Sequence, residues 1–249
     1  MPSIEGLRRA GDYRPGPVGA FSILALLSGL CAALPAGAQV SGSVDVESDY
    51  RYRGYSLSAG EPVVTGELGY DDKSGLYANL SVTGQLADGG RFLGVEGNIG
   101  YAKRLSPTVS IDAGVRHTHY DPSYDGGVSR NYTEAYIGVA AGRIASRLYF
   151  SPNYFHAGVA TLYGEVEGAL QPSPKWRLSA HVGALGYLAT PYAYPVNRVT
   201  RYDWRLGVAR QLGSFELHAA LSGGGPGKEY YSGSVHSRTA VSGGVSWSF

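Results

Sequence analysis

The chain of 249 residues has one cysteine, Cys31, and one methionine, and its 21 Lys and Arg nearly balance its 20 Asp and Glu. Only 16% of residues are charged. That balance offers no basic footprint for nucleic acid and no charge excess of the kind that keeps a chain unfolded. Beyond residue 38 there is no cysteine, so disulfides, thiolate metal sites and cysteine nucleophiles are excluded from that part of the chain. Long apolar runs are also missing, and none reaches the ~20 residues of a membrane-spanning helix. The longest, residues 18–34, follows Arg8, Arg9 and Arg14 and precedes Ala36-Gly37-Ala38. A basic start, a short uncharged run and a small-x-small site predict a secretory signal peptide over residues 1–38, exported through the Sec pathway. Leu30 before Cys31 makes a poor lipobox, and Arg8-Arg9 lacks the rest of a twin-Arg signal. Removing the leader's three basic and two acidic residues from those totals leaves 18 of each sign in the mature chain.

Glycine (37) and tyrosine (20) are abundant, which favours many strands and turns over packed helices. Residues 41–54, SGSVDVESDYRYRG, alternate strictly: Val44, Val46, Tyr50 and Tyr52 against Asp45, Glu47, Asp49, Arg51 and Arg53. This period of two recurs in about twelve segments of about 9–13 residues, longer than ordinary strands and suited to a tilted crossing of a bilayer. Short connections such as RLSPT, AGR and QLGS alternate with longer ones such as DPSYDGGVSR and ATPYAYPVNRV. The fold class expected over residues 39–249 is therefore all-β: one antiparallel transmembrane barrel of about twelve strands, with short periplasmic turns and longer extracellular loops.

The charges test that expectation. Acids and bases fall on the polar parity, while the apolar parity carries them only at strand ends (Arg91, Lys103, Arg210). A lipid-facing Arg or Lys at the midplane costs roughly 2–4 kcal/mol, which accounts for the segregation. The opening segment is thus expected to turn its charges into the lumen and its Val and Tyr to lipid. Tyr50, Tyr52, Tyr70, Tyr101, Trp176, Tyr202, Trp204, Trp247 and Phe249 are expected in the aromatic girdles. Asp45, Glu47, Asp49, Glu67, Glu134 and Glu165 are candidates for an acidic pore wall, and Arg51, Arg53, Arg177, Arg201, Arg205 and Arg238 for a basic one. Two arrangements stay open: opposed walls that orient a polar solute, or charges that pair across strands and partly fill the lumen.

Two stretches carry resemblances. VSGGVSWSF at the end resembles the carboxy-terminal recognition strand of Gram-negative outer-membrane barrels, with Val245, Trp247 and Phe249 as the signal to the barrel-assembly machinery. The start resembles the TorF-like porin family, through Ser48-Asp49-Tyr50-Arg51-Tyr52-Arg53-Gly54, Pro62 to Gly66, and Ser74-Gly75-Leu76-Tyr77-Ala78. That resemblance implies a cell outer-membrane channel, with outer-membrane lipids around it and small polar solutes passing by diffusion.

No catalytic spacing is present: there is no nucleophile elbow, and GGGPG lacks the Lys-Ser/Thr of a phosphate loop. His117 and His119 in RHTHY share one face without a third ligand nearby, so no metal is assigned, and no cofactor. A channel that is not an enzyme is the expectation, with a closed structural or adhesive barrel, or an outer-membrane lipid-modifying enzyme, as alternatives.

Overall fold

A computed structural model describes residues 38–121, 130–190, 200–225 and 239–249. Twelve antiparallel strands close on themselves: β1 (Ala38–Glu47), β4 (Val63–Asp72), β5 (Leu76–Gln85), β6 (Arg91–Arg104), β7 (Val109–Tyr120), β8 (Arg130–Ala141), β9 (Ile144–Ser151), β10 (Ala160–Ser173), β11 (Trp176–Ala189), β12 (Arg201–Leu212), β13 (Phe215–Gly225) and β14 (Thr239–Ser248). The two remaining strands, β2 (Arg51–Tyr52) and β3 (Tyr55–Ser56), form a separate hairpin. Each barrel strand pairs with its sequence neighbour, and β1 pairs with β14 to shut the cylinder, from Ser43↔Ser248 to Glu47↔Gly244. Closure leaves no free sheet edge, which a strand in hydrocarbon could not satisfy. Phe249 finishes the seam by exchanging backbone hydrogen bonds of 3.0 and 3.1 Å with Gly42.

Connections at one end are brief: residues 73–75, 105–108, 142–143, 174–175 and 213–214. Both ends of the barrel segment lie on that side. The other end carries residues 48–62, 86–90 and 152–159. Among the described residues no helix is long and apolar enough to cross a membrane.

The alternation sorts side chains as the charge pattern requires. Ile99, Ile137, Val182, Leu206 and Val241 point outward and are exposed, while their strand neighbours Asn98, Tyr136, His181, Arg205 and Ser242 point inward. Tyr101, Trp176, Tyr202, Trp247 and Phe249 also stand on the outer surface. An apolar belt of this extent is stable in hydrocarbon and not in water. Ile137 sits midway along β8, opposite Ala113 and Leu148. Ile137→Arg should lower barrel stability by roughly 2–4 kcal/mol in chemical unfolding from lipid vesicles. An unaltered midpoint would mean that this face does not meet lipid.

One expectation is corrected. The segment 41–54 is not a single strand: β1 ends at Glu47 and the chain then leaves the wall. Tyr50 and Tyr52 do not join the outer girdle but pack against a buried aromatic cluster inside the barrel. Glu61 belongs to the same connection, not to a strand, and is exposed. Residues 1–37, which fall in the expected leader 1–38, and Arg238 lie outside the described residues.

Candidate functional site: a hairpin folded into the lumen

Tyr52-Arg53-Gly54-Tyr55 forms the tip of the inner hairpin, with Arg51↔Ser56 and Tyr52↔Tyr55 as its rungs. A two-residue turn matching strand twist needs positive φ at both central positions, and Arg53 (46°) and Gly54 (81°) supply it. Gly54 is also required by space: a Cβ there would lie 2.9 Å from Asp203 Cβ, Gly223 O and Gly224 Cα. The tip therefore rests against β12 and β13. Asp49 holds the hairpin's base, accepting hydrogen bonds from Ser56 Oγ at 2.5 Å, Ser58 Oγ at 3.1 Å and Arg51 Nη1 at 3.0 Å.

Arg53 anchors the tip. Its Nη2 donates to both oxygens of Glu134, at 2.9 and 3.0 Å, and its guanidinium lies 3.8 Å from the centre of the Tyr163 ring. Glu134, on β8, is fully buried and also accepts from Arg116 Nη2 at 2.5 Å. Arg116 in turn donates to Tyr52 Oη at 3.1 Å and lies 3.7 Å from Glu96. One carboxylate thus joins the hairpin to two wall strands. Buried charges persist only when paired and hydrogen-bonded in this way. Tyr120, Tyr132, Tyr136, Tyr149 and Tyr163 line the wall around it, and Tyr154 and Phe155 enter from the connection after β9. One gap between hairpin and wall, of about 10 Å³, is lined by Tyr52, Arg53, Tyr55, Tyr154, Leu185, Arg201 and Asp203. Among the described residues, the hairpin and the aromatic side chains around it occupy the lumen at this level.

The short-turn half is different. A chamber of about 760 Å³ is lined by Asp45, Glu47, Glu167, Arg177, His181, Arg205, Glu216 and His218, among others. A second, of about 400 Å³, is lined by Ser43, Glu67, Asn79, Ser81, Glu96 and Asn98. Here acids and bases do not segregate into opposed walls; most of them pair. Arg177 bonds Glu216 across β12, and Arg147 meets Asp112 at 2.9 Å. Glu67 accepts from Ser43 at 3.3 Å, and Glu165 from the Tyr149 hydroxyl at 2.8 Å. Arg201 lies 5.4 Å from the Tyr55 ring centre, beside the hairpin. Asp49, Arg51 and Arg53 are inside the barrel, but on the hairpin rather than on the strand wall.

His181 and His218 stand in the lumen, unlike the pair His117 and His119. Those two do face outward, His117 with Nδ1 2.9 Å from Thr133 Oγ1. His181 and His218 occupy the inward parity of β11 and β13. The parity that placed Arg177 and Glu216 inside would have placed these as well. The hairpin too had a signal: Arg-Gly between two tyrosines is a turn pair inside an alternating run.

The profile of a family described as "Bacterial protein of unknown function (Gcw_chp)" matches residues 32–244. No curated protein matches the chain. Among solved structures the fold is similar to the KdgM porin, at 12% identity and a TM-score of 0.52, covering 84% of this chain and 99% of that one. It is similar also to the NanC porin, at 10% identity and a TM-score of 0.55, covering 82% and 98%.

Proposed function

The chain belongs to the Gcw_chp family, and from that membership and the hairpin in the lumen we propose that it is an outer-membrane channel for small polar solutes, narrowed by its own first long connection. Its resemblance to TorF-like porins and the porin fold of its structural neighbours support this reading. Residues 1–38 act as the Sec leader, and Val245, Trp247 and Phe249 present the closing strand to the barrel-assembly machinery. The observation that carries the proposal is the division of the lumen: a charged chamber of about 760 Å³ in one half and a hairpin latched by Arg53 and Glu134 in the other. A solute crosses by passive diffusion, and its passage is limited where guanidinium, carboxylate and tyrosine hydroxyls replace bulk water. No cofactor or catalytic residue takes part.

Purified protein in planar bilayers should give small, discrete conductance steps. Arg201 and Arg205 stand beside the hairpin and in the chamber, respectively. Replacing both with Ala should shift the reversal potential in a salt gradient toward cation preference, since two fixed positive charges leave the path. An unchanged reversal potential would remove these arginines from the pathway. The tight seating of the hairpin favours a second reading, a closed structural barrel. Electrical silence of both the native protein and a variant freed of the hairpin would select it.

A further inference from the structure

His218 differs from His181 in how it meets its acids. His181 divides its ring: Nδ1 lies 3.3 Å from Glu167 Oε1, and Nε2 lies 2.7 Å from Asp203 Oδ1. Each nitrogen has its own partner. His218 instead turns a single nitrogen toward two carboxylates, with Nε2 at 3.4 Å from Glu47 Oε1 and 3.8 Å from Asp45 Oδ1. Neither His218 Nε2 nor Asp45 Oδ1 has a hydrogen-bond partner, although both atoms are buried. One N–H cannot satisfy two acceptors at such separations, so these groups are arranged around a point rather than along a bond.

The strand order builds this arrangement. His218 on β13 pairs with Gly244 on β14, and Gly244 pairs with Glu47 on β1, so the three form one row across the closing seam. Asp45 follows two residues along the same face of β1. The imidazole reaches β1 only because position 244 has no side chain: a Cβ there would stand 2.5 Å from His218 Nε2. One ligand atom from each of Asp45, Glu47 and His218 lies within 4.8 Å of the others. A tetrahedral zinc ion with N and O ligands at about 2.1 Å spaces them about 3.4 Å apart. The His218–Glu47 edge of 3.4 Å matches that spacing, the His218–Asp45 edge of 3.8 Å is a little longer, and the Asp45–Glu47 edge lies within 4.8 Å.

We propose that Asp45, Glu47 and His218 form a divalent transition-metal site in the lumen, with its fourth coordination position open to the chamber. Two carboxylates and a neutral imidazole balance a 2+ ion, and three protein ligands with one open position are the usual form of an accessible zinc site. The proposal needs the closed barrel but not the channel reading, so the failure of one leaves the other standing.

Zinc is the probe. The full-length mature protein, folded in detergent, is titrated with zinc against a chromophoric chelator, and retained folding of every variant is checked by the heat-dependent gel shift of an intact barrel. One equivalent should bind. His218→Gln should weaken binding roughly 100-fold, and Asp45→Asn or Glu47→Gln roughly tenfold or more, as loss of a ligand requires. His181→Gln should bind like the native protein, because that histidine already spends both nitrogens on carboxylates. Absence of stoichiometric binding in the folded native protein overturns the proposal, leaving an ion pair of protonated His218 in its place. Equal affinity in native protein and His218→Gln overturns it too, as does equal weakening by His181→Gln and His218→Gln.

Discussion

Excising the inner hairpin should raise single-channel conductance roughly tenfold while leaving the barrel intact. The variant replaces residues 50–57 with a short Gly-Ser linker, so that β1 still reaches Glu47 and β4 still begins at Val63. Folding should survive because β2 and β3 pair only with each other and contribute no rung to the cylinder. The hairpin's departure removes Tyr52, Arg53, Tyr55 and Leu57 from the lumen, where the gap beside them holds about 10 Å³. A twelve-strand cylinder lies between eight-strand barrels filled by side chains and sixteen-strand barrels that hold a water channel, so what occupies its lumen decides whether it conducts. Planar-bilayer recording measures the effect, with the heat-dependent gel shift reporting the barrel. A folded variant with native conductance would place the constriction elsewhere.

The second large effect concerns Glu134. Glu134→Ala leaves Arg53 and Arg116 without the carboxylate they share, and breaking a buried pair by deleting one partner typically costs about 3–5 kcal/mol. Arg116 retains Glu96 and the Tyr52 hydroxyl, whereas Arg53 loses the acid that holds the hairpin tip. Strands β7 and β8 are fixed by continuous ladders from Val109↔Ala141 to Tyr120↔Arg130, so the wall cannot relax. Relief must come from the hairpin, whose guanidinium gains water by swinging out. Trypsin added to the folded protein should then cut after Arg51 or Arg53 at least tenfold faster than in the native protein, with conductance approaching that of the excised form. The factor is conservative, because a 1.4 kcal/mol change already corresponds to tenfold in an opening equilibrium. Adding Arg53→Ala to Glu134→Ala should recover stability, since the stranded charge is gone. If trypsin resistance were native in Glu134→Ala, the latch would have to lie in the Asp49 cluster or the tyrosine packing instead.

The parts of this molecule that could be read in advance share a cause. Lipid tolerates no charge at its midplane, so the alternation of Ile137 with Tyr136 or Leu206 with Arg205 reports directly which side of the wall each residue takes. Strand number, the short-turn and long-loop ends, and the closing role of residues 239–249 follow from that local pattern. His181 and His218 obey it too, and their inward position was legible.

Alternation nevertheless says nothing about partners. Asp49-Tyr50-Arg51-Tyr52-Arg53 continues the period of β1 without a break, because a hairpin inside the lumen is built of the same extended backbone as the wall outside it. Only the paired rows decide which is which: β1 runs out at Glu47 beside Gly244 and Val63, and the residues after it pair with themselves. The meeting of Arg53 with Glu134, 81 residues apart, and of His218 with Asp45 and Glu47 across a glycine, arises from barrel closure. The amino-acid order by itself determined which side chains of the wall strands face the lumen and which face outward, because transfer free energy belongs to each side chain alone. Which inward groups touch was decided by the tertiary structure, because contact depends on register and curvature summed around the whole cylinder.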